Sequence, residues 1–423
     1  MAEPTSAAAE PVTGASGLPR RAAAYGLGLM TLLNFVNYID RTILAAVLPR
    51  VKTELGLTDD QLGLLAGAFL FSYLLTSPIF GQLGDRLSRT RLMAAGVAIW
   101  SLATAGAGFA RSFAQMFAAR ATVGVGEASY ASISPALLSD YYPKSRRGRI
   151  FAIFYLAIPV GSAVGYLLGG FLEAHFGWRA AFCAVGLPGL LLAALTLTAP
   201  DPPRGINDDP GELVHDEPLG RTLAVLARNR GYVLTVIGYT AYTFALGGMT
   251  IWAPTYFNRE RGLTLGNADL LIGGIAVIAG IGGTFTGGYL CDALRSRIRQ
   301  PYLYVSGWSM LLAIPLAWIG LSAAEPVVYI SALLAGEFLL FLSTGPINVV
   351  LVSVVPVGMR AMAMAVSIFV IHLFGDAVSP YILGRISESA GLSKAVLIMP
   401  VAIGVSGLVW VFAAWDAARR TGV

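Results

Sequence analysis

Long apolar stretches recur along the whole chain and restrict what it can fold into. A helix needs about 20 mostly apolar residues to cross the hydrocarbon core of a bilayer, because no backbone group there can be left without a hydrogen bond. Only 13% of the 423 residues are charged, against about a quarter in soluble domains. The sequence predicts an all-α integral membrane protein with twelve transmembrane helices. The twelve segments are 22–48, 62–84, 91–110, 113–139, 150–172, 179–199, 231–257, 268–291, 302–321, 327–354, 361–384 and 395–415.

Two polar segments divide the chain. The first, 1–21, is rich in Ala, Pro, Ser and Gly, and its low hydrophobicity predicts a disordered tail rather than a cleaved signal. The second, 201–230, is the only long polar segment after the tail. It separates an N-terminal six-helix unit, 22–200, from a C-terminal one, 231–423.

The distribution of Lys and Arg gives the orientation. With the N-terminus inside, nineteen of the 29 basic residues lie in the tail, the alternate loops, the linker or the C-terminus. Eight lie in the opposite loops, and the other two, Arg41 and Arg120, lie within spans. Basic residues accumulate in cytoplasmic loops, so both termini are predicted to be cytoplasmic, with a bacterial inner membrane as the location. Topology therefore explains the net charge of +5, and no nucleic-acid partner is expected.

The two halves repeat a sequence signal. GQLGDRL at 81–87 follows the second span, and GGYLCDAL at 287–294 follows the eighth, with two leucines, a glycine and an aspartate recurring 207 positions later. Duplicated six-plus-six chains are typical of secondary transporters.

Charged residues within the first and fourth spans are the main candidates for chemistry. Successive helical residues turn by roughly 100°, so Asp40 and Arg41 belong to a polar stripe on the first span. Arg120 and Glu127, seven residues apart, lie on nearly the same face of the fourth. An unpaired charge near the bilayer centre costs about 2.5–3.5 kcal/mol on translocon scales. We therefore expect these two acids and two arginines to pair around an interior cavity.

The residue types suggest different roles within this set. A carboxyl group in a cavity that hydrates and dries can bind and release a proton, so Asp40 and Glu127 are candidates for proton coupling. An arginine stays charged and presents a planar fork to phosphate or carboxylate, which makes Arg41 and Arg120 candidates for binding a substrate headgroup. Asn37 and Tyr38 of the same stripe join the substrate-binding set. The alternative is that the charges only neutralise one another and hold the helices together.

The C-terminal half offers fewer intramembrane polar residues. Glu337 is a candidate for the cavity wall, with interhelical hydrogen bonding as the alternative. His372 is the only histidine within a predicted span, and histidine is the residue type suited to proton traffic, although His372 can equally serve as a packing donor. Both enter the predicted substrate-binding set. Gly161, Gly165 and Gly169 form a small-xxx-small pattern, for which we expect a contact between the two halves.

Several of these stretches resemble a known family. GQLGDRLSRTR at 81–91 resembles the loop signature of the major facilitator superfamily, which links the second and third helices. NYIDR at 37–41, the segment from 120 to 143 and HLFGDAVSP at 372–380 resemble its spinster branch. The resemblance implies two six-helix bundles around a central cavity, in the major facilitator fold.

The resemblance also implies a conformational gate and a substrate class. The gate residues are Gly81, Asp85, Arg86, Arg89 and Arg91. Spinster relatives in animals move lysolipids and sphingoid phosphates, which implies an amphipathic anion as substrate. We expect a monomeric secondary transporter in contact with membrane lipids, working by alternating access and coupled to protons. A proton-coupled symporter of small organic anions is the alternative. No nucleotide loop, metal-ligand cluster or Ser-His-Asp spacing is present in the sequence, so neither enzymatic activity nor a cofactor is expected.

Overall fold

The computed structural model describes residues 18–207, 219–356 and 359–420. Within these ranges all regular structure is helical. A π-helical turn, His372–Asp376, lies between α13 and α14. The α-helices are α1 (Arg20–Leu55), α2 (Asp59–Arg86), α3 (Arg89–Ala107), α4 (Phe113–Tyr141), α5 (Lys144–Phe176), α6 (Trp178–Thr196), α7 (Leu219–Arg228), α8 (Arg230–Arg259), α9 (Leu265–Leu294), α10 (Pro301–Ser322), α11 (Pro326–Phe341), α12 (Thr344–Ser353), α13 (Arg360–Ile371), α14 (Ser379–Ala390), α15 (Leu392–Ala395) and α16 (Ile398–Arg420).

The helices form two bundles. Helices α1 to α6 pack mainly against one another, as do α8 to α16. Ten helical segments of the described chain are long and apolar enough to cross a bilayer. Helices α3 and α4 are not among the ten, since α3 begins with Arg89 and Arg91 and α4 contains Arg120 and Glu127, but both pack beside the others in the N-terminal bundle. Two bundles of spanning helices confirm the predicted fold class.

Three predicted elements differ from the structure. The segment predicted as a polar linker contains α7, which buries Leu226 and is apolar along one face. The tenth span is broken between α11 and α12, where Pro346 in the first turn of α12 interrupts the hydrogen bonding of the preceding turn. Of the predicted tail, residues 1–17 lie outside the described chain, and α1 already begins at Arg20. The proposed domain boundaries otherwise stay a prediction.

The glycine pattern of α5 serves a different contact from the one expected. Gly161 faces the backbone of α1 at Phe35, and Gly165 and Gly169 face the next two turns of the same helix. These contacts lie within the N-terminal bundle, so the expectation that the three glycines join the halves is wrong. Gly170, one residue further, faces α9 of the other bundle instead.

The two bundles touch at the end of the molecule away from the chain termini. There α2 packs against α14 and α5 packs against α9. A Cβ atom placed on Gly63 would lie 2.6 Å from the carbonyl carbon of Pro380, and one on Gly170 would lie 3.1 Å from the Cα of Gly266. Helices approach this closely only where small residues face each other. We call this region the closed end.

Candidate functional site

Four ionisable side chains from α1 and α4 meet inside the N-terminal bundle. Arg41 Nε donates to Glu127 Oε2 at 2.8 Å. In the second pair, Arg120 Nη1 lies 3.7 Å from Asp40 Oδ1. Thr104 on α3 donates to the other oxygen of Asp40 at 2.5 Å. The acids and arginines thus pair as their shared helix faces predict, and α3 contributes a hydroxyl that the sequence did not indicate.

The two arginines have different surroundings. Arg41 lies among the rings of Tyr38, Phe69 and Tyr73, with its Cζ atom 5.0 to 5.1 Å from each centroid. Its side chain is 21% exposed, whereas that of Arg120 is 3% exposed. Aromatic faces stabilise a guanidinium that has lost water. Arg41 is therefore the arginine that a ligand can reach first.

The charged cluster has unused hydrogen-bonding capacity. Within the described chain, no group accepts a hydrogen bond from Arg120 Nε or Nη1, and none donates to Asp40 Oδ1 or Glu127 Oε1. All three residues are at most 2% exposed, and Asn37, one turn before Arg41, is equally buried. Buried polar atoms are nearly always hydrogen-bonded, so these unmet groups require an explanation. The cluster can accept a proton or a polar group of a ligand without first breaking an existing hydrogen bond at these atoms.

A cavity of about 450 Å³ lies between the bundles, and none of the four charged residues lines it. Thr42, which directly follows Arg41, lines it together with residues of α5 that include Pro159 and Tyr166. The opposite wall comes from α8, α9, α11 and α12 and is mainly apolar. A volume of this size suits a small-molecule ligand. The site therefore combines an apolar chamber between the bundles with buried charges beside it.

The cavity reaches the outer surface between α5 and α9. Tyr155 and Leu156 of α5 line it and are 47% and 53% exposed. Ile281 and Phe285 of α9 also line it and are 38% and 77% exposed. The chamber thus has an opening between α5 and α9 whose edge is mainly apolar.

The structure brings one of the two C-terminal candidates to the cavity. Glu337 on α11 lines it and is 9% exposed. His372 Nδ1 instead lies 2.9 Å from Asp376 Oδ2, one helical turn away in the same π-helical turn, and His372 is not among the cavity residues. The role of each in substrate binding stays a prediction.

The predicted gate residues lie at the end of the molecule that carries the termini. Arg89 is buried and bonds Asp140 at the end of α4, and its Nε donates to Asp201 at 2.8 Å. These partners belong to the same bundle, so in this conformation Arg89 fixes the start of α3 rather than bridging the halves. The side chain of Asp85 lies outside the described part of the structure.

The remaining gate candidates make few contacts. Arg86 and Arg91 are exposed, and a Cβ atom on Gly81 would meet nothing within 4 Å. No packing requirement for a glycine exists at this position in the present conformation. Their role as a gate stays a prediction.

Asp59 forms a polar connection between the bundles at the closed end that sequence reasoning missed. It accepts hydrogen bonds from Lys52 at 2.6 Å, from Arg259 at 2.9 Å and from Ser387 at 2.5 Å. Arg259 and Ser387 belong to the C-terminal bundle. In the sequence, Asp59 stands in the capping box that begins at Thr58, and that local role gives no sign of partners 200 and 328 residues away.

Comparison with known proteins decides the family. The chain matches the Major Facilitator Superfamily model over residues 30–380. It is 34% identical over 398 residues to protein spinster homolog 3 of Danio rerio, covering 90% of this chain and 79% of that protein. The chain belongs to the spinster family. Human spinster homolog 1 is also 34% identical, over 88% of this chain and 74% of its own.

A solved structure shares the fold of this spinster protein. The crystal structure of a bacterial homolog of the human lysosomal transporter Spinster, in an inward-facing and unoccupied conformation, superposes with a TM-score of 0.85 and 22% identity. The match covers 94% of this chain and 98% of that one. The spinster chain is therefore a multi-pass membrane protein and a transporter of small molecules rather than an enzyme.

Proposed function

We propose that this spinster protein moves an amphipathic anion of lysolipid or sphingoid-phosphate type by proton-coupled alternating access. The observation that carries the proposal is the buried charge cluster of Asp40, Arg41, Arg120 and Glu127 beside an apolar cavity between two bundles. Intramembrane charges of this kind mark substrate and proton pathways.

The anionic headgroup is assigned to the arginines. Arg41 is partly exposed and lies in an aromatic cage, and Arg120 has donors without acceptors. A phosphate or carboxylate that enters the cluster would gain charge-assisted hydrogen bonds, which are stronger than bonds between neutral groups. Asn37, Tyr38 and Glu337 contribute polar atoms around this site, and His372 remains in the proposed substrate-binding set.

The acids are assigned to proton coupling. Asp40 and Glu127 each hold one arginine in the present conformation. Protonation of Asp40 would weaken its attraction to Arg120 and free the guanidinium for an anion. Departure of the anion would restore the pair. Proton and substrate then favour each other's binding, and the effect is reciprocal.

The side opening supports an amphipathic substrate over a small organic anion. An apolar tail can remain against Leu156 and Phe285, which are exposed at this opening, while the headgroup enters the cluster. A small soluble anion has no apolar tail that would occupy such an opening. We place the termini in the cytoplasm and the monomeric protein in a bacterial inner membrane, so that the cavity is open inward in this conformation.

Ligand-induced thermal stabilisation of the purified protein tests the substrate class. A ligand that binds only the folded form raises its stability by about 2.7 kcal/mol at one hundred times Kd. We expect lysolipids or sphingoid phosphates to raise the melting temperature and matched neutral lipids to leave it unchanged. Stabilisation by small organic anions alone would favour the symporter of such anions instead.

A further inference from the structure

A third buried carboxyl group lies at the closed end, away from the charge cluster. Asp269 is in the second turn of α9 and is fully buried where α9 meets α5 of the other bundle. A Cβ atom on Gly170 of α5 would lie 2.7 Å from Asp269 Oδ2. Neither carboxylate oxygen of Asp269 has a hydrogen-bond partner within the described chain.

Three basic residues of α1 and α8 near this end are engaged elsewhere. Arg50 on α1 donates to Glu173 at 2.6 Å. Lys52 on α1 and Arg259 on α8 bind Asp59. None of the three has a described contact with Asp269.

The remaining groups near Asp269 also offer it no cation. Arg261, next to α8, donates to the carbonyl of Leu321. The titratable groups that act on Asp269 are Glu173 and Tyr166, both on α5. Glu173 is an acid, and the hydroxyl of Tyr166 already donates to the carbonyl of Thr250 at 2.6 Å. An ionised Asp269 would thus be a buried charge beside another acid with no compensating partner, which is strongly unfavourable.

We propose that Asp269 is a proton-binding site that controls closure of this end of the molecule. The bundles can meet here only when Asp269 carries a proton. When they separate, water reaches the carboxyl group and it can ionise. The inference rests on the alternating access proposed above, but it concerns a different site from Asp40.

This site differs in consequence from a coupling site. Water reaches Asp269 only when the closed end opens, so Asp269 binds and releases its proton on the same side of the membrane. It therefore sets the pH at which that side closes and moves no net proton itself. Closure should therefore bind one proton. The ratio of closed to open molecules should fall roughly tenfold for each pH unit above the pKa that Asp269 has in the open molecule.

Distances across the closed end test the proposal. Spin labels are attached to the exposed positions Arg111→Cys and Lys394→Cys, one on each bundle, after Cys183→Ala and Cys291→Ala. In substrate-free protein the label distance should shift from short to long as the pH rises. In Asp269→Asn, and in Asp269→Ser as a second neutral variant, it should stay short at every pH.

Matched controls separate this site from its neighbours. Glu325→Gln, an exposed acid at the same end, should respond to pH like the wild type. A wild type without a pH-dependent distance, or neutral variants that still open as the pH rises, would overturn the proposal. So would a shift produced by sodium at constant pH and removed by Asp269→Asn, since the site would then bind a metal cation.

The same labels distinguish this proposal from the proposed function. If Asp40→Asn removes the pH response while Asp269→Asn keeps it, the Asp269 proposal fails and the coupling role of Asp40 stands. If Asp269→Asn removes the response while Asp40→Asn leaves gradient-driven transport intact, the Asp269 proposal stands and the coupling role fails.

Discussion

Arg41 and Arg120 lie in buried spans, yet only one of them is accessible. Arg41 contacts three aromatic rings and is 21% exposed. Arg120 is 3% exposed and compensates Asp40. Removing one member of a buried ion pair typically destabilises a protein by about 3–5 kcal/mol, because the other charge is left without compensation. Arg41 also pairs with a buried acid, Glu127, so a substitution that separates substrate binding from folding must keep the positive charge at this more exposed position.

Arg41→Lys keeps the charge of this residue but removes its planar fork. We expect it to weaken binding of the anionic ligand by about 1.5–3 kcal/mol, or roughly ten- to a hundredfold, with a small change in melting temperature. Isothermal titration in detergent measures the affinity. The control is Arg111→Lys, an exposed arginine between α3 and α4, which should bind like the wild type. An unchanged affinity in Arg41→Lys would remove Arg41 from the headgroup site.

The helix α5 presents neighbouring glycines to different partners. Gly169 faces α1 within its own bundle, and a Cβ atom there would lie 2.6 Å from that of Ala46. Gly170 faces α9 across the closed end. Under the proposed alternating access, a contact inside a bundle would persist, whereas a contact between bundles would be made and broken. A substitution at Gly169 should therefore change the stability of the protein, and one at Gly170 should change the ratio of closed to open molecules.

The pair Gly169→Ala and Gly170→Ala tests this division. Overpacking within a bundle commonly costs about 1–3 kcal/mol, so Gly169→Ala should lower the melting temperature with little effect on the conformational equilibrium. Gly170→Ala should instead favour molecules open at the closed end, measured with the labels at 111 and 394. Identical effects of the two variants would contradict the assignment of α5 faces.

Sequence patterns predicted the helices better than the contacts between them. The length of the apolar stretches was enough to locate the spans. The charges of α1 and α4 predicted a buried cluster, because lipid cannot accommodate them. The face that each α5 glycine presents could not be obtained from a four-residue spacing, which fits any close neighbour. The partners of Asp59 and the isolation of Asp269 depend on how the two bundles dock, and no local pattern encodes that.

Three polar sites lie in the interior of the whole molecule. The charge cluster lies inside the N-terminal bundle, Asp59 connects the bundles at the closed end, and Asp269 is buried where α5 meets α9. Opening of the closed end must break the hydrogen bonds of Asp59 and expose Asp269. The proposed alternating access would therefore involve ionisable groups at both the centre and the closed end.

The central claim is that Asp40 couples protons to movement of the substrate. Asp40→Asn mimics the protonated acid, so it should retain or improve ligand binding and flatten the rise in affinity that we expect of the wild type as the pH falls. It should lose transport driven by a proton gradient. Exchange of substrate across liposomes, which needs no net proton movement, should survive.

The most direct measurement compares gradient-driven transport with exchange in the same liposomes, for the wild type and Asp40→Asn. The account predicts that Asp40→Asn loses the first and keeps the second. A variant that keeps both, with the pH dependence of the wild type, would show that Asp40 only neutralises Arg120, and this would contradict the account.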